Sequence, residues 1–202
     1  MQTAIDEIKQ FDYDNALEYW SNVDREDRNY YENYKSEAAN IRSFFLFGLI
    51  NDILDINSES KILEIGCNAK RNLHFLEKNG YTNLYGFDIN KDALKNGYKV
   101  KANIKNCSVV EYFPAKEKFD LVFSMAVLQH FPYEIDYIFE DIAKSTKYLL
   151  TIEDEGKQAK RTFSRNYKDV FEGVGMTEIN NFRPYKIHGI GKTFIVRLFE
   201  WI

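Results

Sequence analysis

A chain of 202 residues, 45% hydrophobic and 29% charged, has the mass for one packed domain with an appendage and the balance of an ordinary globular protein. Its net charge of −4 excludes general nucleic-acid binding through phosphate neutralisation. Two cysteines without metal-ligand spacing, an acidic start (MQTAIDEIKQFDYD) unlike a signal peptide, and a longest apolar run, Phe44 to Ile50, too short for a bilayer together lead us to expect a cytoplasmic protein with no membrane partner and no metal.

Residues 1–57 read as helices that form an N-terminal cap on a main body of residues 58–202. Tyr13, Tyr19, Trp20, Tyr30, Tyr31 and Tyr34 make the first segment rich in aromatics, suited to a lid that excludes water. From Glu37 to Leu54, the residues Ile41, Phe44, Phe45, Leu49 and Ile53 recur at helical spacing as one broad apolar face. Beyond Lys61 strand and helix alternate, which predicts an α/β fold with a parallel sheet. Ile62, Leu63 and Ile65 form the first strand, which turns at Gly66 into a helix from near Ala69 to Gly80. The second strand is Leu84 to Asp88, followed by a helix bracketed by Asn90 and Gly97. A third strand is expected near Val100 to Ile104 and a fourth at Leu121 to Ser124. Ile135, Ile138, Phe139 and Ile142 predict a helix after Pro132, and Tyr148 to Ile152 a fifth strand. Ser164 is read as opening a helix with Tyr167, Val170 and Phe171 inward and Gly173 past its end. Two strands, Met176 to Phe182 and Thr193 to Phe199, close the chain with no helix between them. Lys157, Lys160, Arg161, Arg165 and Lys168 read as the solvated face of a helix.

The most informative stretch is KILEIGCNAKRN, Lys61 to Asn72. A strand that ends in an acidic residue and turns at glycine into a helix lets main-chain amides approach a ligand closely. Asp88 closes the second strand 22 positions beyond Gly66, placed to take the two hydroxyls of a ribose. Together they predict a nucleoside-containing cofactor at the carboxyl edge of the sheet. A dinucleotide is disfavoured, because G-x-G-x-x-G fails: Asn68 stands two positions after Gly66, where the second glycine belongs, and the turn continues into Lys70.

E-x-G with this turn, then GFDIN, then FDLVFSMAVLQHF, resembles the class I S-adenosylmethionine-dependent methyltransferases over roughly Lys61 to Ile152. Within them, GCNAKRNLHFL followed by GFDIN looks most like methylases found with nonulosonic (pseudaminic-type) sugar biosynthesis. The resemblance implies a Rossmann-like, doubly wound, mostly parallel seven-stranded sheet with an antiparallel C-terminal edge. It implies methyl transfer from S-adenosyl-L-methionine to an oxygen or nitrogen of a small metabolite, a sugar or sugar nucleotide among the candidates. The alternative is a module that holds this cofactor or its demethylated product without transfer.

Carried onto this sequence, the resemblance gives Glu64 and Gly66 to the methionine part of the cofactor, Asp88 to the ribose and Ile89 to the adenine. Ser108 falls where an Asp or Asn usually bonds the adenine amino group, and Ser124 and Met125 where a main-chain carbonyl meets the methionine amino group. Cys67, Asn68 and Cys107 lie in the same cofactor loops, and Arg42 is a candidate partner for the cofactor carboxylate. Lys70 departs from the family, which commonly has a third glycine there; its ammonium is expected to point outward or to the cofactor carboxylate. His130 is the candidate base, while His74 and His188 read as surface or structural. Glu153, Asp154 and Glu155, after the fifth strand, are expected to face the site and suit an amine substrate.

Overall fold

The computed structural model of the protein describes residues 11–26, 36–156, 158–187 and 190–201. Its centre is a sheet of β1 (Ile62–Ile65), β2 (Leu84–Asp88), β3 (Asn103–Asn106), β4 (Phe119–Met125), β5 (Thr146–Asp154), β6 (Thr177–Phe182) and β7 (Phe194–Glu200). The spatial order is β3-β2-β1-β4-β5-β7-β6, parallel from β3 to β5, with β7 reversed between β5 and β6. This is the expected Rossmann-like sheet, with the reversed strand one place in from the edge. The chain leaves β1 in one direction and returns to start β4 on the other side, so the crevice lies where strand order switches.

Alternation along the strands divides the core between two faces. Leu63, Ile65, Val122 and Leu149 pack with Ile138, Phe139 and Ile142 of helix α6 (Ile138–Lys144) and with Tyr167 and Phe171 of α7 (Tyr167–Gly173). Ile62, Leu121, Phe123 and Leu150 pack on the other face with Leu46 and Ile50 of α2 (Glu37–Asn51) and Leu73 and Leu76 of α3 (Arg71–Lys78). Shorter helices α4 (Lys91–Asn96) and α5 (Val109–Tyr112) follow β2 and β3. Helix α1 (Tyr13–Glu26) docks through a cluster of Phe11, Ala16 and Phe163 with Tyr19 and Trp20, and its Tyr13 packs against the core of the first face. Of the aromatics read as a lid, Tyr30, Tyr31 and Tyr34 lie outside the described residues, as do Lys157 and His188.

Several expectations are corrected. The third strand is Asn103–Asn106 rather than Val100 to Ile104, because it is an edge strand whose residues are mostly exposed and whose register is set by β2, not by an apolar run. In α2 the buried positions are Ala39, Ser43, Leu46 and Ile50, while Ile41 and Phe44 are exposed. That helix is apolar nearly all round, so periodicity cannot choose a face; the polar contacts of Ser43 described below mark the inward one. The last helix is capped by Asn166, whose side chain accepts from the Lys168 amide, rather than opened by Ser164. The basic run is no solvated helix face: Arg161 lies 3.6 Å over the Tyr19 ring, and Arg165 is buried against Asp136 and the Tyr133 ring. Among the described residues no helix is long and apolar enough to cross a membrane.

Arg197 of β7 fastens the far side of the sheet. Its Nε and Nη2 donate to the two oxygens of Glu155, at 2.7 and 2.8 Å, and its Nη1 donates to Glu178 of β6. Both carboxylates are buried, so removing the guanidinium leaves them uncompensated. Arg197→Ala is therefore expected to cost about 3–5 kcal/mol of unfolding free energy in urea titration. A loss below about 1 kcal/mol would contradict this role.

Candidate functional site

The turn after β1 adopts left-handed backbone at Gly66, Asn68 and Lys70, with φ of 67°, 44° and 61°. These alternate positions are where a glycine-rich turn would carry glycine, so the turn keeps its shape although its sequence departs from the pattern. Asparagine enters this region readily, and lysine does so at a cost of roughly 1 kcal/mol. The Lys70 ammonium donates to the Leu94 carbonyl of α4, and the side chain takes no part in the cavity wall. Lys70 therefore points outward. At Gly66 a side chain is also excluded by contact, since a Cβ there would lie 2.6 Å from a Val127 methyl.

Asp88 ends β2, buried, with both oxygens held by amides: the Asn68 N–H donates to Oδ2 and the Asn90 N–H to Oδ1, each at 2.7 Å. Asn106 donates to the carbonyls of Asp88 and Ile89, tying the exit of β3 to that of β2. Burial pushes the Asp88 carboxyl up to about 6, against the downward pull of the Asn90 and Asn68 amides.

Glu64, in β1, heads a buried polar network. Its Oε1 accepts from Asn72 Nδ2 at 2.7 Å, Asn72 Oδ1 accepts from Ser43 Oγ at 2.8 Å and from Arg71 Nη2 at 3.1 Å, and Arg71 Nε donates to Ser43 Oγ at 2.9 Å. Glu64 Oε2 has no hydrogen-bond partner. Burial pushes this carboxyl up to about 8, opposed by Asn72 and by the Arg71 charge.

Across the crevice, Glu153 lies buried beneath the loop that leaves β4. It accepts from the amides of Val127, at 3.1 and 3.0 Å, and of Gln129, at 3.3 Å. Burial raises its carboxyl to about 7 against those amides. The Asp154 amide donates to Gln129 Oε1 at 2.7 Å, which orients the Gln129 amide group to donate to His130 Nε2 at 3.3 Å. His130 Nδ1 lies 2.6 Å from the Arg161 carbonyl, an acceptor only, so Nδ1 carries the proton and Nε2 the lone pair. Burial holds the imidazole below its ordinary value, against that hydrogen bond. The Trp20 ring of α1 lies 4.2 Å from it.

Between these halves is a cavity of ≈ 230 Å³, several times the volume of about 30 Å³ a water takes in the liquid. Its wall brings together Arg42, Glu64, Gly66, Cys67, Asn68, Asp88, Ile89, Cys107, Ser108, Met125 and His130 from the sequence reading. Ser124 is not in the wall: β4 continues through Met125, and Ser124 is fully buried between Ile65 of β1 and Thr151 of β5. The acidic run, whose Glu153 and Asp154 end β5 rather than follow it, does not face the cavity either. Glu153 caps the β4 loop, Asp154 accepts from the Gly156 amide, and Glu155 is paired with Arg197. Among the described residues no three His, Cys, Asp or Glu side chains converge as a metal site would need.

Ser108 lines the cavity while capping α5: its Oγ accepts from the Glu111 amide at 3.3 Å, and Glu111 accepts from the Ser108 amide at 2.7 Å. The S-x-x-E spacing announces that capping box in the sequence. Arg71 and Asn72 are wall residues that the sequence reading passed over. They follow Lys70 in the same turn, and their position at the start of α3 was the available signal. His74 stacks on Tyr98 at 4.7 Å outside the wall.

Residues 63–148 match the family profile described as a methyltransferase domain. No curated protein sequence matches the chain. Among solved structures the fold is similar to a TehB-like S-adenosylmethionine-dependent methyltransferase from Corynebacterium glutamicum, with TM-score 0.66 and 18% identity, covering 87% of this chain and 97% of that one. It is similar to magnesium protoporphyrin IX methyltransferase from Synechocystis, solved with bound S-adenosylmethionine, with TM-score 0.61 and 13% identity over 82% and 79% of the two chains. The 4+2 cyclase SpnF is also similar, with TM-score 0.59 and 11% identity over 77% and 80%. At these identities the likeness is one of fold, and a fold serves more than one chemistry.

The raised Glu64 value has a consequence for stability. Because it stands at about 8 in the folded protein against an ordinary 4.5, the folded state keeps a proton that the unfolded chain releases. The Glu64 contribution is therefore greatest below pH 4.5, falls as the pH rises towards 8, and is level beyond. Glu64→Gln keeps the acceptor for Asn72 and removes this titration. The melting temperature of the ligand-free variant should fall less steeply than wild type between about pH 5 and 8, as read by scanning calorimetry. Parallel curves would show that Glu64 is ionised in the folded protein.

Proposed function

We propose, from the premise that the chain carries a class I S-adenosylmethionine-dependent methyltransferase domain, that it transfers a methyl group from S-adenosyl-L-methionine to an oxygen or nitrogen of a small metabolite. The observation that carries this reading is the pair of carboxylates in one cavity wall, Asp88 with both oxygens fixed by amides and Glu64 with one oxygen lacking a partner. These residues fit the cofactor. Each Asp88 oxygen has a further lone pair for a ribose hydroxyl, and the cofactor's ammonium supplies a donor for the orphaned side of Glu64. Arg42 and Arg71 are matched to its carboxylate, and Ile89, Cys107 and Ser108 to its adenine. Since Ser108 Oγ already accepts from Glu111, its hydroxyl is assigned to donate.

When bound, the cofactor supplies a methyl group on a positively charged sulfur. The chain's own part is to hold the acceptor in line and to exclude water, for which α1 contributes Tyr13, Ala16, Leu17, Trp20 and Val23 to the wall. An enclosed cavity supports a small acceptor over a polymer surface. The resemblance to nonulosonic-sugar methylases makes a sugar or sugar nucleotide one acceptor class. His130 is assigned to take the proton of a hydroxyl acceptor, since it is neutral with its lone pair on Nε2 and Gln129 has only to yield that position. The reading of a module that binds without transfer loses one support, because Lys70 stays clear of the cavity.

Asp88→Ala should weaken S-adenosylmethionine binding by about 100-fold in calorimetry while leaving the circular dichroism spectrum unchanged. Equal affinity in that variant would refute the placement of the ribose. With a labelled methyl donor and mixed metabolite pools, labelled product is expected; binding without any product would favour the module. His130→Ala should slow transfer to a hydroxyl acceptor by about 10² while cofactor affinity is retained. Wild-type turnover in that variant would return His130 to packing.

A further inference from the structure

We propose that the acceptor is an aromatic hydroxyl compound, a phenol in the chemical sense, rather than a sugar, an inference that rests on the methyltransferase reading. Strand order divides the cavity chemically. The exits of β3, β2 and β1 carry Ser108, Asp88 and Gly66, the positions matched to the cofactor. The acceptor then belongs beside the exits of β4 and β5 and the start of β7. There Met125 ends β4, and Phe194 begins β7 opposite Asp154 at the end of β5. With Trp20, His130 and Ile190 these residues make that side of the wall.

Counting hydrogen-bond partners separates the acceptor classes. Among the described wall residues the carboxylates are Glu64 and Asp88, both at the exits of β1 and β2. On the acceptor side Met125, Ile190 and Phe194 present mainly apolar surface. The polar groups there are donors, the Trp20 indole N–H, which has no partner, and Arg71 Nη2, 3.9 Å from the Met125 sulfur. Among the described residues the one acceptor on that side is His130 Nε2 once Gln129 yields it, enough for a single hydroxyl proton. Each sugar hydroxyl buried there without a partner costs about 1–3 kcal/mol, so a polyol with several such groups is rejected. A flat ring meets the opposite balance: its apolar area leaves water, and its faces and edges pair with the rings of Trp20 and Phe194.

The chemistry of the step agrees. A phenolic proton leaves at a pKa of about 10, as in tyrosine, within reach of a neutral imidazole, whereas an alcohol of a sugar holds its proton far more tightly. The phenolic oxygen's lone pair forms the O–CH3 bond as the C–S bond breaks with its electron pair going to sulfur. The phenolic proton passes to His130 Nε2, Gln129 having swung aside. The products are an aryl methyl ether, the neutral thioether S-adenosylhomocysteine and a protonated imidazole that returns its proton to water.

The test begins by titrating the full-length protein with S-adenosylhomocysteine in a calorimeter. No binding at this step overturns the methyltransferase reading itself, and this inference with it. The saturated protein is then titrated with 2-naphthol and 4-methylcatechol, and separately with N-acetylglucosamine and UDP-glucose. The phenols should bind and the sugars should not. Trp20→Ala should weaken phenol binding about tenfold or more with the affinity for S-adenosylhomocysteine unchanged, and Phe194→Leu serves the same purpose where the first variant does not fold. Binding by the sugars instead, by neither class, or by phenols with equal strength in both variants would overturn the inference while leaving the methyltransferase reading in place.

Discussion

The site depends on one buried carboxylate. By accepting the amides of Asn68 and Asn90, Asp88 locks the turn after β1 to the turn after β2, two loops that would otherwise move independently at the edge of the sheet. Asn106 extends the lock to the exit of β3 through the carbonyls of Asp88 and Ile89. Three loops far apart in sequence thus share one rigid frame. Because amide donors fix the orientation of the carboxylate, its remaining lone pairs point in defined directions before any ligand arrives, which reduces the ordering left to do on binding.

Glu153 does the equivalent work on the other half. It collects the amides of the loop leaving β4, and Val127 of that loop presses against Gly66 of the first turn. The two halves of the crevice therefore meet at a contact that tolerates no side chain on residue 66. Burial raises Glu64, Asp88 and Glu153 to about 8, 6 and 7, so each costs the folded protein stability as the pH rises from the ordinary carboxylate range to its raised value, and no more beyond it. The Arg197 pairs at the back of the sheet differ in kind, since there each buried carboxylate has its cation.

The fold also explains why one cavity carries two chemistries. Amides and carboxylates gather at the exits of β1 to β3, where short turns lead directly into helices. Helix α1 spans both halves: its Tyr13 reaches Ser108 at the exit of β3, and its aromatic cluster docks it on Phe163 and, through Trp20, on His130, beside the exits of β4 and β5 and the start of β7. The methyltransferase-domain match covers residues 63–148, and α1 and Phe194 both lie outside it. Residues inside that match supply the polar half and, with Met125 and His130, part of the apolar half, which α1 and Phe194 complete.

Much of this was readable in the sequence. The apolar strands, Gly66, Asp88 and the Asn90 cap are local features, set by neighbours a few residues away, and the structure has them where periodicity and capping rules put them. Lys70 shows the limit of letter patterns, since backbone shape persisted where the glycine did not. What the sequence left open was every choice between equivalent local options. The inward face of α2, the register of the exposed β3, and the direction of Glu153, Asp154 and Glu155 are decided by partners far along the chain. Local propensity fixes which elements form because it acts within a turn or two. Orientation and burial depend on contacts that exist only once the sheet has assembled, and those contacts decided which side chains meet at the cavity.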